Sequence, residues 1–362
     1  MKNIKSYNTY MFISAFTRNI IDIYSVVLLY KKGFSINNII GIYAITYFIG
    51  TYISTISLKL GNKIGYKYIL IFSSIITSIS FYILNKSLNP YIISIFLSLS
   101  QFTYHPIKHY YGITLLKQKK EIGNTIILTY IATILSSYFA IKKIKIIYLI
   151  VICLLSIIPS LFIKKEKTKI ISYPKYIEKN TINYFIFDQT KIIFLLLQPL
   201  YLYTISNKIS YVGLFNIIIT ISSILFIYLV ANKKDIEKYY KIINILFTII
   251  LLLKLNINNK TILLIIAFLE GIGLKTNELI STMNLYHRKT SKLGYLIISE
   301  KIFCLIRGLI LSFIFILKLK LKISLYLLLI GIFILSFCYK KDTHTNKSIV
   351  SNKIKFNKII TL

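Results

Sequence analysis

Apolar residues in this chain come in blocks of roughly 18–25 residues with few or no charges, divided by short polar stretches. That length crosses about 30 Å of hydrocarbon at 1.5 Å per residue. Twelve such blocks can be read, at about 9–30, 37–60, 67–87, 90–116, 122–142, 145–163, 181–206, 210–231, 239–257, 261–285, 292–317 and 321–339. Backbone exposed to lipid must satisfy itself within a helix or a closed barrel. The blocks are too long and too uniformly apolar for barrel strands. The pattern predicts an all-α integral membrane protein of about 12 transmembrane helices.

An even number of spans places both termini on one side. Lys and Arg in the loops and at the span ends divide 27 to 12 in favour of the set that holds both termini. That set includes "KKEKTK" (164–169), "NKKDIEKYYK" (232–241) and "YHRKTSKLG" (286–294). The positive-inside rule therefore puts both termini in the cytoplasm, in a multi-pass protein expected in the cell membrane. The longest internal polar segment, 164–180, divides the chain into six-helix bundles at 1–163 and 181–339, with a basic cytoplasmic tail over 340–362. The halves echo one another. Gly41 closes "LYKKGFSINNIIG" and Gly213 closes "LYTISNKISYVG", 172 residues later; Gly123 and Gly294 stand in similar basic turns 171 apart. Near-equal offsets point to a duplicated unit in parallel orientation.

Composition agrees with the pattern. The 362 residues are 56% hydrophobic, with a mean hydropathy of +0.69. A net charge of +34 could indicate a nucleic-acid partner, but the lysines collect where spans meet headgroups and water, leaving no basic soluble surface. The first block has no small-residue cleavage pattern after it and is expected to remain as a span. Cys153, Cys304 and Cys338 all lie in apolar blocks, as packing residues rather than a disulfide framework. "GIG" at 271–273 lacks the flanking strand and third glycine of a dinucleotide site. No Walker sequence or Gly-x-Ser-x-Gly turn occurs, and no cofactor is expected.

Eleven charges lie away from loops and span ends: Arg18, Asp22, Lys108, Asp188, Lys191, Glu270, Lys275, Glu278, Glu300, Lys301 and Arg307. They occupy spans 1, 4, 7, 10 and 11, and the middles of spans 3, 6, 9 and 12 have none. A charge at the bilayer centre costs about 2.5–3.5 kcal/mol unless it is paired or hydrated. Charge-bearing spans are thus expected to face a hydrated interior. Spacing supports one polar stripe per helix. Arg18 and Asp22 are four apart; Gln101, His105, Lys108 or His109 follow at three or four; Asp188 and Lys191 are three apart; Glu270 and Asn277 are seven apart, as are Glu300 and Arg307.

Twelve spans, a basic central linker and paired halves together resemble the major facilitator superfamily. After the second span that family carries a Gly-x-Leu-x-Asp-Arg-x-Gly-Arg-Arg-type turn, and this chain reads "LKLGNKIGYK" over 58–67. Leu60, Lys63, Gly65 and Lys67 match in place. Leu58 stands at the first glycine, Asn62 at the acid and Tyr66 at a base. The resemblance implies that spans 1, 4, 7 and 10 line a central cavity while 3, 6, 9 and 12 face lipid. It also implies that this turn latches one conformation, although Asn62 supplies no charge for doing so.

The bland readings stand beside the sharp ones. Arg18 and Asp22 could be a self-neutralising pair that fixes the first helix, or a cavity site. Glu300 and Arg307 could be a structural pair on span 11. His105 and His109 could supply half a metal site, but further ligands are lacking and no metal is expected; a polar or proton-handling role, or packing around Pro106, fits better. Glu270, Glu278 and Glu300 are protonation candidates. The sequence is read as a secondary transporter of a small organic solute working by alternating access. It is expected to be proton-coupled and monomeric, with the bilayer, the solute and protons as its partners. Asp22 is the preferred coupling acid, and Arg18, Lys108 and Lys191 are candidate solute contacts. The rival readings are a membrane-embedded lipid-handling enzyme, disfavoured by external loops of a few residues, and a transporter-like sensor.

Overall fold

The computed structural model describes residues 2–115, 119–142, 145–164, 171, 173, 176–230, 240–286, 292–338 and 353–355; side chains at several helix ends, those of 274–286 among them, lie outside that description. The helices are α1 (Lys2–Lys31), α2 (Ile36–Ile64), α3 (Tyr66–Lys86), α4 (Pro90–Leu115), α5 (Lys119–Ile141), α6 (Ile146–Leu155) and α7 (Ile157–Leu161). Then come α8 (Lys179–Ser206), α9 (Ile209–Val230), α10 (Tyr240–Asn256), α11 (Lys260–Tyr286), α12 (Lys292–Ile316) and α13 (Leu321–Cys338). Among the described residues, six helices are long and apolar enough to cross a membrane, and further apolar helices are shorter. Two three-residue strands, β1 (Tyr176–Glu178) and β2 (Lys353–Lys355), pair antiparallel with Ile177 opposite Ile354.

Two boundaries differ from expectation. The first helix begins at Lys2 instead of near Thr9, since "KNIKSYNTY" continues the turn despite its polar residues. The sixth block divides at Ser156. Pro159 has no N–H to offer the carbonyl of Leu155, and Ser156 turns back on Cys153, with its amide 3.2 Å and its hydroxyl 2.7 Å from that carbonyl.

Short turns reverse the chain, so the turns at 32–35, 87–89, 207–208, 257–259 and 317–320 share the face opposite the start of α1. Lys32 Nζ ties two of them by donating to the carbonyl of Ser87 at 3.0 Å. The packing pairs recur along the chain. α2 packs on α4, α3 on α4 and on α6, and α1 on α5; in parallel, α9 packs on α11, α10 on α11 and on α13, and α8 on α12. α1–α7 and α8–α13 meet where α2 packs on α12, α5 on α9, and α1 on α8. Gly41 and Gly213, the glycines that echo one another in sequence, both lie at these seams. A Cβ on Gly213 would sit 2.5 Å from Ile141 and 3.1 Å from the carbonyl of Ser137, so α5 and α9 approach this closely only because no side chain intervenes.

Lipid-facing surface is written as helical stripes. Tyr68, Phe72, Ile75, Ile79 and Tyr82 are exposed along α3, and Ile242, Leu246, Ile249 and Leu253 along α10. Steps of three and four residues keep each stripe on one side. α6 and α13 carry similar faces, at Tyr148, Val151 and Leu155, and at Ile323, Leu327, Ile330 and Ile334. α2, α5, α9 and α12 expose apolar faces too, whereas α1 and α8 are enclosed most fully.

The turn after α2 is built as a tight helix junction. Gly65 takes φ of 113°, open to glycine at little cost, and its amide closes α2 on the carbonyl of Gly61 at 2.9 Å. Leu60 and Lys63 are exposed, Asn62 is buried, and Lys67 rests over the Tyr68 ring at 5.2 Å. Tyr66 stacks on Tyr110 of α4 with ring centroids 3.8 Å apart, so an aromatic contact stands where the family places a base.

Candidate functional site

α1 is surrounded by α2, α3, α5, α6, α7 and α8, and near its middle Asp22 lies among buried neighbours. Its side chain nevertheless keeps 32% of its surface open. With helices on every side, that opening gives onto an interior space. Gln101 Nε2 of α4 donates to Asp22 Oδ1 at 3.2 Å. His105 Nε2, one turn along α4, lies 3.9 Å from Oδ2 with 35% of its side chain open to the same space. At that distance the contact is an ion pair only when the imidazole carries a second proton. Nine residues separate Asp22 from Lys31 at the end of α1, a depth of roughly 14 Å.

Arg18 does not pair with Asp22. Its long side chain leaves the shared helix face and spans the gap to α3 and α4. Nη2 donates to Ser73 Oγ at 2.6 Å, and Nη1 to the carbonyl of Ser100 at 2.6 Å. The guanidinium also covers the Tyr104 ring at 4.0 Å, and Arg18 is only 4% exposed. It is a strut that binds three helices, although its field still reaches Asp22, as do those of Lys108 and Arg307. Lys108 is half-buried, and its carbonyl accepts from Tyr7 at 3.0 Å.

The two histidines serve different acids. His109 Nδ1 meets Glu300 Oε1 of α12 at 2.8 Å, a contact across the junction of α1–α7 with α8–α13. His109 is 35% exposed and Glu300 6%. Glu300 therefore does not pair with Arg307, its neighbour seven residues on. Arg307 Nε instead donates to Gln189 Oε1 of α8 at 2.5 Å, and its guanidinium lies 5.2 Å from the Tyr47 ring centroid on α2. Gln189 Nε2 in turn donates to Asp188 Oδ2 at 3.0 Å. Lys191 is buried with its ammonium 4.9 Å over the Phe247 ring of α10.

Glu270 departs furthest from expectation. The resemblance places its helix, the tenth span, on the cavity, yet Glu270 Oε2 is bound by Lys254 Nζ of α10 at 2.7 Å, both side chains being 0% exposed. Phe194 and Phe215 cover the ammonium at 5.1 and 5.4 Å. Lys254 was grouped with the span ends because two residues beyond it the sequence turns polar. Its setting in "LLLKLN" was the one signal for an interior partner. The ninth span therefore carries an interior charge after all. The side chains of Asn277 and Glu278 lie outside the described residues. Among the described residues, the partly exposed polar groups of the interior include Asp22 of α1, His105, Lys108 and His109 of α4, Asp188 of α8 and Arg307 of α12. Tyr47 of α2 and Gln189 of α8, which the sequence did not single out, are buried beside Arg307.

No protein-family model matches this sequence, and no curated protein does. Solved structures do match the fold. The chain is similar to a mutant form of the nucleoside transporter NupG, with a TM-score of 0.63 at 12% identity, covering 92% of this chain and 98% of that one. It is similar to a bacterial homologue of the iron transporter ferroportin in an outward-facing state, with a TM-score of 0.59 at 13% identity, covering 94% and 98%. It is also similar to the human organic anion transporter MFSD10, with a TM-score of 0.65 at 9% identity, covering 94% and 99%. Over nearly its whole length, the chain has the fold of the major facilitator transporters.

Proposed function

We propose that the protein is a secondary transporter of a small organic solute, working by alternating access between two six-helix halves at 1–163 and 181–339. The observation that carries this reading is Asp22: an acid at mid-depth, walled in by helices, without a cationic side chain in direct contact, and open to an interior space. A structural acid in lipid is paired or sealed; one left hydrated serves a permeant. The recurring pairs α2·α12 and α5·α9, with α1 on α8 between them, suit rocking of one half against the other. The structural likenesses support the class but name no solute.

In this reading proton movement couples to conformation at Asp22. Ionised, the carboxylate accepts from Gln101 beside His105. Protonated, it loses its charge and can be occluded at smaller cost. Glu270 is a poor coupling group in this conformation, because its carboxylate is held by Lys254 without access to water. The His109–Glu300 contact adds a direct side-chain link between the halves. The termini are cytoplasmic, the protein acts as a monomer in the plasma membrane, and the gradient rather than ATP supplies the energy. The test is a solute screen in sealed proteoliposomes with and without an imposed pH gradient. Accumulation of a solute that collapses with the gradient is expected; a protein that moves no solute under either condition is not a carrier.

A further inference from the structure

Two arginines lie in the interior, and they are used differently. Arg18 spends both terminal nitrogens on Ser73 and Ser100 and is sealed under Tyr104. Arg307 donates Nε to Gln189 and meets the Tyr47 side chain. It is half-buried, and among the described residues the rest of its guanidinium has no carboxylate to bind within 4.0 Å. Glu300 on its own helix is taken by His109, and Asp188 accepts from Gln189. A guanidinium in this position must be stabilised by water or by a guest, since an isolated charge in the bilayer interior is costly.

Its placement is that of a built receptor. Gln189 fixes the Nε edge, and the Tyr47 ring supports the plane at 5.2 Å. A guanidinium held by Nε presents its Nη1–Nη2 edge as a fork that matches two oxygens of a carboxylate or phosphate. Arg307 is nine residues from the end of α12 at Ile316, as Asp22 is nine from the end of α1 at Lys31, so both lie roughly 14 Å deep from the same face. The field of Arg307 reaches Asp22. One half thus offers an acid and the other a cation that no carboxylate among the described residues pairs, both at one depth.

We infer that Arg307 is the solute-recognition residue of the second half and that the solute carries an oxyanion group, a carboxylate or a phosphate monoester, bound end-on by its terminal nitrogens. The opposite end of that solute faces Asp22 and Gln101 and presents hydrogen-bond donors to them. Gln189 acts as a positioning residue, and a proton on Asp22 relieves the repulsion an anion meets on entry. This inference rests on the transport reading and names its substrate class.

The experiment measures thermal stabilisation of the full-length protein in detergent by paired probes: carboxylates beside their amides, such as nicotinate and nicotinamide, and phosphate monoesters beside their parents, such as AMP and adenosine. The expected result is stabilisation by the anion of one pair type and not by its neutral partner, which also separates carboxylate from phosphate. Apparent affinity falls about tenfold or more in Arg307→Gln, and by less in Arg307→Lys, which keeps charge without the fork. If Arg307→Gln does not fold, the loss in Arg307→Lys decides. Stabilisation by no anion, equal stabilisation by neutral partners, or anion affinity unchanged in both variants overturns the inference. The two readings separate in proteoliposomes. Neutral solutes carried equally well by wild type and Arg307→Gln would overturn anion recognition while transport stands. Anion binding without movement of any solute would leave the site and remove the carrier.

Discussion

Asp22 and Glu270 are both interior acids, one in each half, and they are housed in opposite ways. Asp22 touches an amide and a distant imidazole and keeps a third of its side chain open. Glu270 is bound to a lysine at 2.7 Å under two phenylalanine rings, with nothing exposed. The first arrangement leaves charge available and needs water to be tolerable. The second cancels charge locally and needs none. A buried acid in a membrane protein is therefore not a functional site by type. Its nearest cation and its access to water decide which it is.

The comparison is broken most forcefully at Lys254. Lys254→Met strands Glu270 in a dry interior and should destabilise the folded protein by about 3–5 kcal/mol, read by denaturant or thermal unfolding in detergent. Lys254→Met with Glu270→Leu removes both charges and should recover most of that loss. Equal instability of the double variant would mean that the pair does more than neutralise itself. Next comes Arg18→Met, which removes the strut to Ser73 and Ser100 and should cost about 1.5–3 kcal/mol. If it leaves stability unchanged, Arg18 is not the strut described. A seam variant follows: Gly213→Val forces α5 and α9 apart at Ile141 and should cost about 1–3 kcal/mol, with solute exchange slowed more than binding. The smallest effect is at the helix junction, where Tyr66→Leu loses the stack on Tyr110, about 0.5–1.5 kcal/mol beyond lost area, measured by the same unfolding.

The helices were legible because hydrocarbon imposes length and uniform polarity on each span, and twelve apolar blocks map onto the observed helices with one of them broken at Ser156. The start of α1 was not, since Lys2 to Asn8 are polar except for Ile4 and Tyr7 and continue the helix of the span. At the site, Gln101 and His105 were readable as one stripe of α4, because helical spacing fixes which residues of neighbouring turns share a side, and Asp22 was readable as an interior acid of α1. Partners across helices were not. Spacing put Arg18 beside Asp22 and Glu300 in line with Arg307, but long side chains choose partners in three dimensions, and Glu300 meets a histidine 191 residues away. Lys254 was missed because proximity to a turn says nothing about burial.

The claim on which the account turns is that Asp22 couples a proton gradient to movement of the solute. The direct measurement is solute accumulation in sealed proteoliposomes under an imposed pH gradient, wild type beside Asp22→Asn, with gradient-free exchange of the same solute as the control for folding. The account predicts that Asp22→Asn still exchanges solute downhill and loses concentrative uptake. Accumulation by Asp22→Asn at the wild-type level would contradict it.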